Sequence, residues 1–307
     1  MSDSPLVSIV MVSFFTGPVL WEAIASALEQ SSVGEVRLVN NGNPKDVVKR
    51  LEQIADENSR FVLLSGHGNV GFAAGCNIGA RQADGEYLLF LNPDCLLANG
   101  TVSFALDGLL SNPEAWMAGV RLAYLDGEEQ PGGRRNLLTP ITAAVESFFL
   151  DRLPLLGEKF PPLNLHRQAE PKNKIFVPAI SGAFMLISAK RFFALGGFDE
   201  KFFLHVEDLD LCMRINQLGG KILYLPEYSA LHQRSTSRVS SLKIEQYKRD
   251  SFQYYFKKHF SKNHPTWANS LFSMLINARF VFRVGVNFLW PLIEKLSKNF
   301  CSRESHR

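Results

Sequence analysis

Residues 69–95, NVGFAAGCNIGARQADGEYLLFLNPDC, decide how the rest of the chain is read. Gly71, Ala73, Ala74, Gly75, Gly79 and Ala80 predict a tight turn running into a helix that something approaches closely. Asp84-Gly85 supplies the helix stop. Residues 87–91 form a short unbroken apolar run, the pattern of a strand buried on both faces of a parallel sheet. The run ends in Asn92-Pro93-Asp94. Ligands of open α/β sheets sit beyond the carboxyl ends of the strands, so a carboxylate at Asp94 is well placed for a metal-bound phosphate.

Upstream, residues 7–15 read as a first strand, and Thr16-Gly17-Pro18 turns the chain into a helix over 19–29, with Leu20, Ala23, Ile24, Ala27 and Leu28 at helical spacing. A strand over 35–39, a turn over 40–44, a helix over 45–57 and a strand over 60–65 follow. This alternation predicts an α/β fold with a mainly parallel sheet sandwiched by helices. Downstream come a helix over 101–112 and a strand over 117–124. Residues 130–174 then lose the pattern, broken by prolines and glycines around one helix at 142–150, and read as a functional loop or lid. Strand character resumes over 175–188, where Ser181-Gly182-Ala183 is small enough for a ligand to lie against the backbone.

Composition is that of an ordinary globular protein of 307 residues, 46% hydrophobic and 21% charged, which argues against disorder. Cys76, Cys95, Cys212 and Cys301 are scattered, so neither a disulfide framework nor a zinc site is indicated and a reducing, cytoplasmic setting fits. The apolar run at 6–15 follows an acidic rather than a basic leader and reads as a strand, not a signal peptide. Residues 233–307 hold 14 Lys/Arg against 4 Asp/Glu, so the basic charge belongs to the tail. No nucleic-acid partner is expected. The glycines at 71, 75 and 79 do not form G-x-G-x-x-G after the first strand, which leaves a dinucleotide-binding reading weak.

Two blocks carry a more specific likeness. The first is N-x-G-F-A-x-G-x-N-x-G over 69–79 with A-x-G-x-x-L-x-F-L-N-P-D over 83–94. The second is Gly196-Gly197-Phe198-Asp199-Glu200, Phe202-Phe203, Glu207-Asp208-x-Asp210-Leu211-Cys212-x-Arg214 and the ending through Pro226 to His232. Together they resemble the inverting family 2 glycosyltransferases with the nucleotide-diphospho-sugar transferase fold, in the bacterial rhamnosyltransferase-like branch. The resemblance implies a dTDP-rhamnose-like donor, an acceptor that is a saccharide or a polyprenyl-linked saccharide, and Mn²⁺ or Mg²⁺ as cofactor. It implies Asp94 and His232 as metal ligands, Asp208 as catalytic base and Glu207 as its neighbour, orienting the acceptor or raising the basicity of Asp208. Ser13, Asn40, Asn69, Gly71, Gly75, Asn77 and Asn92 fall to the donor, and Ser181 and Gly182 to the acceptor. Two departures stand out. Only the second carboxylate of the family's Asp-x-Asp is present, and Asn40 replaces the base-reading Asp.

Simpler readings exist for the same residues. Acidic side chains in a helix's first turn are favoured by its dipole, Asp210 and Arg214 form an ordinary i,i+4 pair, and Asn-Pro-Asp is good turn chemistry. A catalytically silent nucleotide-sugar-binding homologue and a nucleotidyltransferase of related fold are the rival functions. The expected domains are 1–240, with a nucleotide-sugar half at 1–126 and an acceptor half at 127–240, and a basic helical tail at 241–307. Within the tail, Arg279, Arg283 and Asn287 fall on one side of a helix over 271–293, and Leu271, Met274, Leu275, Ala278, Phe282, Val286 and Leu289 on the other. That pattern predicts peripheral contact of residues 268–300 with the inner face of the cytoplasmic membrane, with packing on the domain or in a homodimer as the alternative.

Overall fold

β1 (Val7–Ser13) is buried along its whole length, and its two faces meet different helices. Ile9 and Met11 join Leu20 and Ile24 of α1 (Val19–Leu28) in one apolar cluster. Val10 and Val12 face the opposite way, against the glycines of the helix discussed below. This is the two-sided burial expected of a parallel sheet. The computed structural model describes residues 7–147, 162–233, 240–263 and 265–304. The chain divides into two compact units, Met1–Arg238 and Val239–Arg307.

In the first unit, β2 (Val33–Asn40), α2 (Lys45–Glu57), β3 (Phe61–Leu64), α3 (Phe72–Arg81) and β4 (Tyr87–Leu91) complete the regular half. β3, β2, β1 and β4 lie side by side and every pairing among them is parallel. β5 (Cys95–Leu97), α4 (Thr101–Leu110), β6 (Ala115–Ala123), β7 (Arg134–Arg135) and α5 (Pro140–Ser147) follow. Then come β8 (Ile175–Val177), β9 (Ala179–Ile180), β10 (Phe184–Ser188), α6 (Ala189–Ala194), α7 (Glu207–Gln217) and β11 (Lys221–His232). The sheet order is β3-β2-β1-β4-β10-β6-β11-β5, with β8 also on β11. β10 runs antiparallel to both β4 and β6, and β11 is parallel to β6 but antiparallel to β5 and β8. The second half of the sheet is therefore mixed where the first is parallel.

Two stretches take a definite form. The strand character over 175–188 resolves into three strands: Pro178 has no N–H to offer a ladder, and a turn at 181–183 separates β9 from β10. Residues 130–147 and 162–174 dock on the body. Arg134, 3% exposed, takes both oxygens of Glu129 at 2.7 and 3.1 Å and donates to Gln168 O, and Leu138, Leu163 and Leu165 are buried. The helix expected at 142–150 is α5; its last expected residues, 148–150, lie outside the described residues.

α3 lies on β1 and β2 at close quarters because of its small residues. A Cβ at Gly79 would meet Val10 Cγ1 at 2.4 Å and Val39 Cγ2 at 3.2 Å, and one at Gly75 would meet Val12 at 2.8 Å. On the same face, Phe90 packs on Phe192 and Phe198, with ring centroids 4.8 and 4.9 Å apart.

The second unit pairs α8 (Ser241–Phe260) with α9 (Thr266–Glu304). Phe256 stacks on Phe272, Gln253 bonds Asn277, and Arg249 lies 4.7 Å over the Phe280 ring, so the helices run antiparallel. Arg279 sits 5.2 Å over the Phe252 ring, which turns that arginine side of α9 toward α8. Trp267, Leu271, Met274 and Val281 are exposed at spacings of four, three and seven residues, and Phe282 beside Val281 is exposed as well. The side chains of Asn287 and Leu289 lie outside the described residues.

The closeness of α3 has a measurable consequence. Gly79→Ala should lower urea-denaturation stability by about 1–2 kcal/mol, because the overpacking cost outweighs the gain in helix propensity. Unchanged or raised stability would mean that α3 can lift away from Val10 freely.

Candidate active site

At the carboxyl ends of β1 and β2, Ser13 and Asn40 are register partners, and one side chain joins them. Asn43 Nδ2 donates to Ser13 Oγ at 3.0 Å and to Asn40 Oδ1 at 3.0 Å, while its Oδ1 accepts from Phe15 N at 2.8 Å. Asn40 Oδ1 also accepts from the backbone N–H of Gly42 and Asn43, and its Nδ2 donates to Ser65 Oγ at 3.2 Å. The residue expected to read a base thus spends its amide on the loop that shapes the strand ends.

The next turn forms by the same means. Asn69 Oδ1 accepts from Gly71 N at 3.1 Å, and Asn41 Nδ2 donates to Gly71 O at 2.9 Å. Gly71 has φ +87°, and a Cβ there would lie 2.5 Å from Phe203 O, so only glycine fits. Phe72 N then donates to Phe203 O at 2.8 Å. Two donor expectations take a different place. Gly75 is turned to Val12, and Asn77, 6% exposed, bonds Phe198 N, Phe198 O and Glu200 Oε1, so both serve packing of α3. Asn77 is the clasp between the two sequence blocks.

Beyond β4, Cys95 N closes a turn on Asn92 O at 3.1 Å and presents Asp94, 6% exposed, to the end of β11. Asp94 Oδ1 lies 3.2 Å from His232 Nε2. His232 Nδ1 is 2.9 Å from Gln130 Oε1, and Gln130 Nε2 donates to His232 O at 2.5 Å. An amide oxygen accepts the Nδ1 proton, which leaves Nε2 as a bare nitrogen facing a carboxylate oxygen. Two such acceptors are satisfied by a shared cation or by a second ring proton, and this donor set suits a divalent cation that accepts oxygen and imidazole. Asn92 Nδ2 stands 3.3 Å from the same Nε2. The Cys95 thiol also lies within 4.8 Å of these atoms, but burial first, and then the Asp94 charge, push it well above its ordinary range. It stays a thiol, donating to Ala183 O at 3.6 Å.

Glu207 and Asp208 open α7, directly after His205 and Val206, which hold φ of +70° and +72°. For a β-branched residue that conformation is an outlier costing about 1–2 kcal/mol. It aims the first turn inward. Asp208 Oδ2 accepts from Arg135 Nη2 at 2.5 Å and from Gly182 N at 2.9 Å, and Oδ1 accepts from Leu209 N at 2.7 Å. Burial works against the charged form of Asp208, but Arg135 and the backbone donors outweigh it and hold the carboxyl below its usual range. Glu207 is buried, and its Oε2 finds no hydrogen-bond partner among the described residues. Burial and the adjoining Asp208 charge push it up to about 8. Asp210 and Arg214 make the i,i+4 pair at 2.8 Å.

One short turn connects the two groups. Ala183 O accepts from Asn92 N at 3.0 Å, beside Asp94, while the adjacent Gly182 N donates to Asp208. Asp94, His232, Asn92, Ser181, Gly182 and Asp208 are thereby brought to one place, with Glu207 behind Asp208. Arg135 and Gln130 belong to the same constellation, Asn43 joins Ser13 to Asn40 at the strand ends, and none of the three was singled out from sequence. The signal for Arg135 was an Arg-Arg pair after Gly132-Gly133 in an otherwise irregular stretch.

Comparison with known proteins gives the family and the fold. Residues 8–188 match the family model Glycosyl transferase family 2. The chain is 26% identical over 195 residues to "Rhamnosyltransferase WbbL" of Escherichia coli, covering 59% of this chain and 67% of the relative. It is also 26% identical over 247 residues to "N-acetylglucosaminyl-diphospho-decaprenol L-rhamnosyltransferase" of Mycobacterium tuberculosis, covering 75% and 76%. Among solved structures, GalNAc-T7 with UDP, GalNAc and Mn²⁺ aligns at TM-score 0.58 and 18% identity over 90% of this chain and 55% of that one. The mannosyltransferase PcManGT from Pyrobaculum calidifontis with GDP-Man and Mn²⁺ aligns at 0.56 and 13%, covering 96% and 79%. The family match spans more than half of the sequence, and the chain belongs to glycosyl transferase family 2.

Proposed function

We propose that this glycosyltransferase moves a sugar, rhamnose from a dTDP-rhamnose-like donor, with inversion onto a lipid-linked saccharide in cell-surface polysaccharide synthesis. The observation that carries the reading is the pairing of a cation-type donor set with a buried carboxylate across the turn at residues 181–183. Inversion needs a base on the acceptor hydroxyl and charge stabilisation on the departing diphosphate, at opposite sides of one carbon. Asp208 takes the hydroxyl proton, and Gly182 and Leu209 fix the carboxylate that does so. Asp94 and His232 would hold Mn²⁺ or Mg²⁺, with Gln130 fixing the imidazole. A divalent ion there offsets negative charge on the leaving diphosphate. Asn69 and Gly71 shape the loop beside it, and Ser13 and Asn40 the strand ends. The rhamnosyl donor and lipid-linked acceptor rest on the names of the relatives.

The acceptor's lipid gives the tail a role. No helix among the described residues is long and apolar enough to cross a membrane. α9 nevertheless exposes Trp267 by 69% and Phe282 by 68%, along with Leu271, Met274 and Val281, within a tail, residues 233–307, that holds 14 Lys/Arg against 4 Asp/Glu. Large apolar side chains left in water beside basic charge suit an interfacial helix at an anionic surface, here the inner face of the cytoplasmic membrane.

Asp208→Asn should cut transfer from dTDP-rhamnose at least about 100-fold while calorimetric binding of dTDP with Mn²⁺ stays close to wild type, because a general base acts on the acceptor. Retention of more than about a tenth of the turnover would remove Asp208 from that role. The intact chain should bind phosphatidylglycerol vesicles, release them as salt rises, and lose them on Trp267→Glu with Phe282→Glu. A salt-insensitive dimer disrupted by the same substitutions would assign that face to a second copy.

A further inference from the structure

We propose that Arg135 is a positioning residue for Asp208: its guanidinium fixes which carboxylate oxygen faces the acceptor and which of two neighbouring carboxyls carries the charge. This rests on the reading of Asp208 as the base. Arg135 Nη2 lies 2.5 Å from both Asp208 Oδ2 and Ile180 O, and the two side chains are only 12% and 13% exposed. The root of the arginine is equally constrained. β7 pairs with β9, placing Arg135 opposite Ala179, and the neighbouring Arg134 is anchored on Glu129 and Gln168.

The consequence follows from counting lone pairs. A carboxylate has about four acceptor sites. Oδ2 receives Arg135 and Gly182, and Oδ1 receives Leu209 N, so the site left for a hydroxyl proton is on Oδ1. A base held this way can accept from one direction only.

Glu207 and Asp210 lie on the same helix, Asp210 is bonded to Arg214, the Cys212 thiol is nearby, and Cys76 of α3 faces Glu207. Two adjoining buried carboxyls do not both ionise without a counter-charge, and one keeps its proton. Arg135 is the cation that bonds Asp208 directly, so the proton stays on Glu207, whose Oε2 has no hydrogen-bond partner among the described residues to favour its charged form. The result trades some basicity of Asp208 for its being ready at every turnover.

Arg135→Gln and Arg135→Lys in the full chain test this. The acid limb of kcat/KM against pH reports protonation of the base, and removing a cation that favours its charged form moves that limb upward. For Arg135→Gln the shift should be about 1–3 pH units, the usual effect of an opposite charge at contact, with KM for dTDP-rhamnose unchanged. Arg135→Lys should bring the limb most of the way back. Lower activity in Arg135→Gln with an unmoved limb would show a merely structural role and overturn the proposal. A carboxyl ¹³C NMR titration of the apoprotein, assigned by loss of a resonance in Asp208→Asn, needs neither activity nor a folded Arg135 variant. Asp208 in wild type should titrate below ordinary aspartates; titration at or above them overturns the proposal. If the resonance behaves as expected but wild type transfers no sugar, the pairing stands and the functional reading fails.

Discussion

Two neighbouring residues of one turn, Gly182 through its N–H and Ala183 through its C=O, hold this site together. One donates to Asp208 on α7 and the other accepts from Asn92 beside Asp94 on the loop after β4. Only the planar Gly182–Ala183 peptide lies between the units that carry these two groups, so the backbone of the turn sets how the segment bearing Asp208 stands to the one bearing Asp94. The turn has to be small: a Cβ at Gly182 would come within 3.2 Å of Asp208 Cβ. It also ends one sheet pairing and begins another, since β9 serves β7 while β10 enters the main sheet antiparallel to β4. The irregularity that breaks the strand is the feature that assembles the site.

The surroundings accept local cost for that geometry. His205 and Val206 sit in left-handed backbone immediately before the acidic pair, and Glu207 is buried with one unsatisfied oxygen. Conformations of this kind persist only where neighbours over-determine them. Here the Phe203 carbonyl is gripped by Phe72 N against a glycine, and Asn77 ties α3 to the segment just upstream. α3 therefore ties the N-terminal half of the sheet to the segment that leads into α7.

Much of the fold was legible in the residues because the N-terminal half follows local rules. The apolar run at 87–91, the small face of α3 and the alternation of strand and helix each specify one structure. Asp94 was marked by the strand that ends just before it, whereas His232 and Asp208 were marked by the family resemblance and not by their spacing. What escaped depended on contacts distant in sequence. Asn77 is polar and follows a glycine turn, which suggests a ligand, yet its amide is consumed by Phe198, 121 residues away. Arg135 and Gln130 lie in a stretch without periodicity, and their meaning appears only when β7 pairs with β9 and Gln130 meets His232. The strand character over 175–188 was legible but its division into three strands was not, because apolar patterning does not show where a proline and a glycine turn redirect the chain.

The central claim is that one site holds a cation on Asp94 and His232 and a base at Asp208, on either side of the Gly182–Ala183 turn. Anomalous diffraction from crystals grown with Mn²⁺ and dTDP tests it most directly. The expected result is a manganese peak within coordination distance of an Asp94 carboxylate oxygen and His232 Nε2, with the diphosphate bound to the same ion and Asp208 open to the sugar side. A manganese peak elsewhere, with Asp94 still bonded directly to His232, would contradict the account.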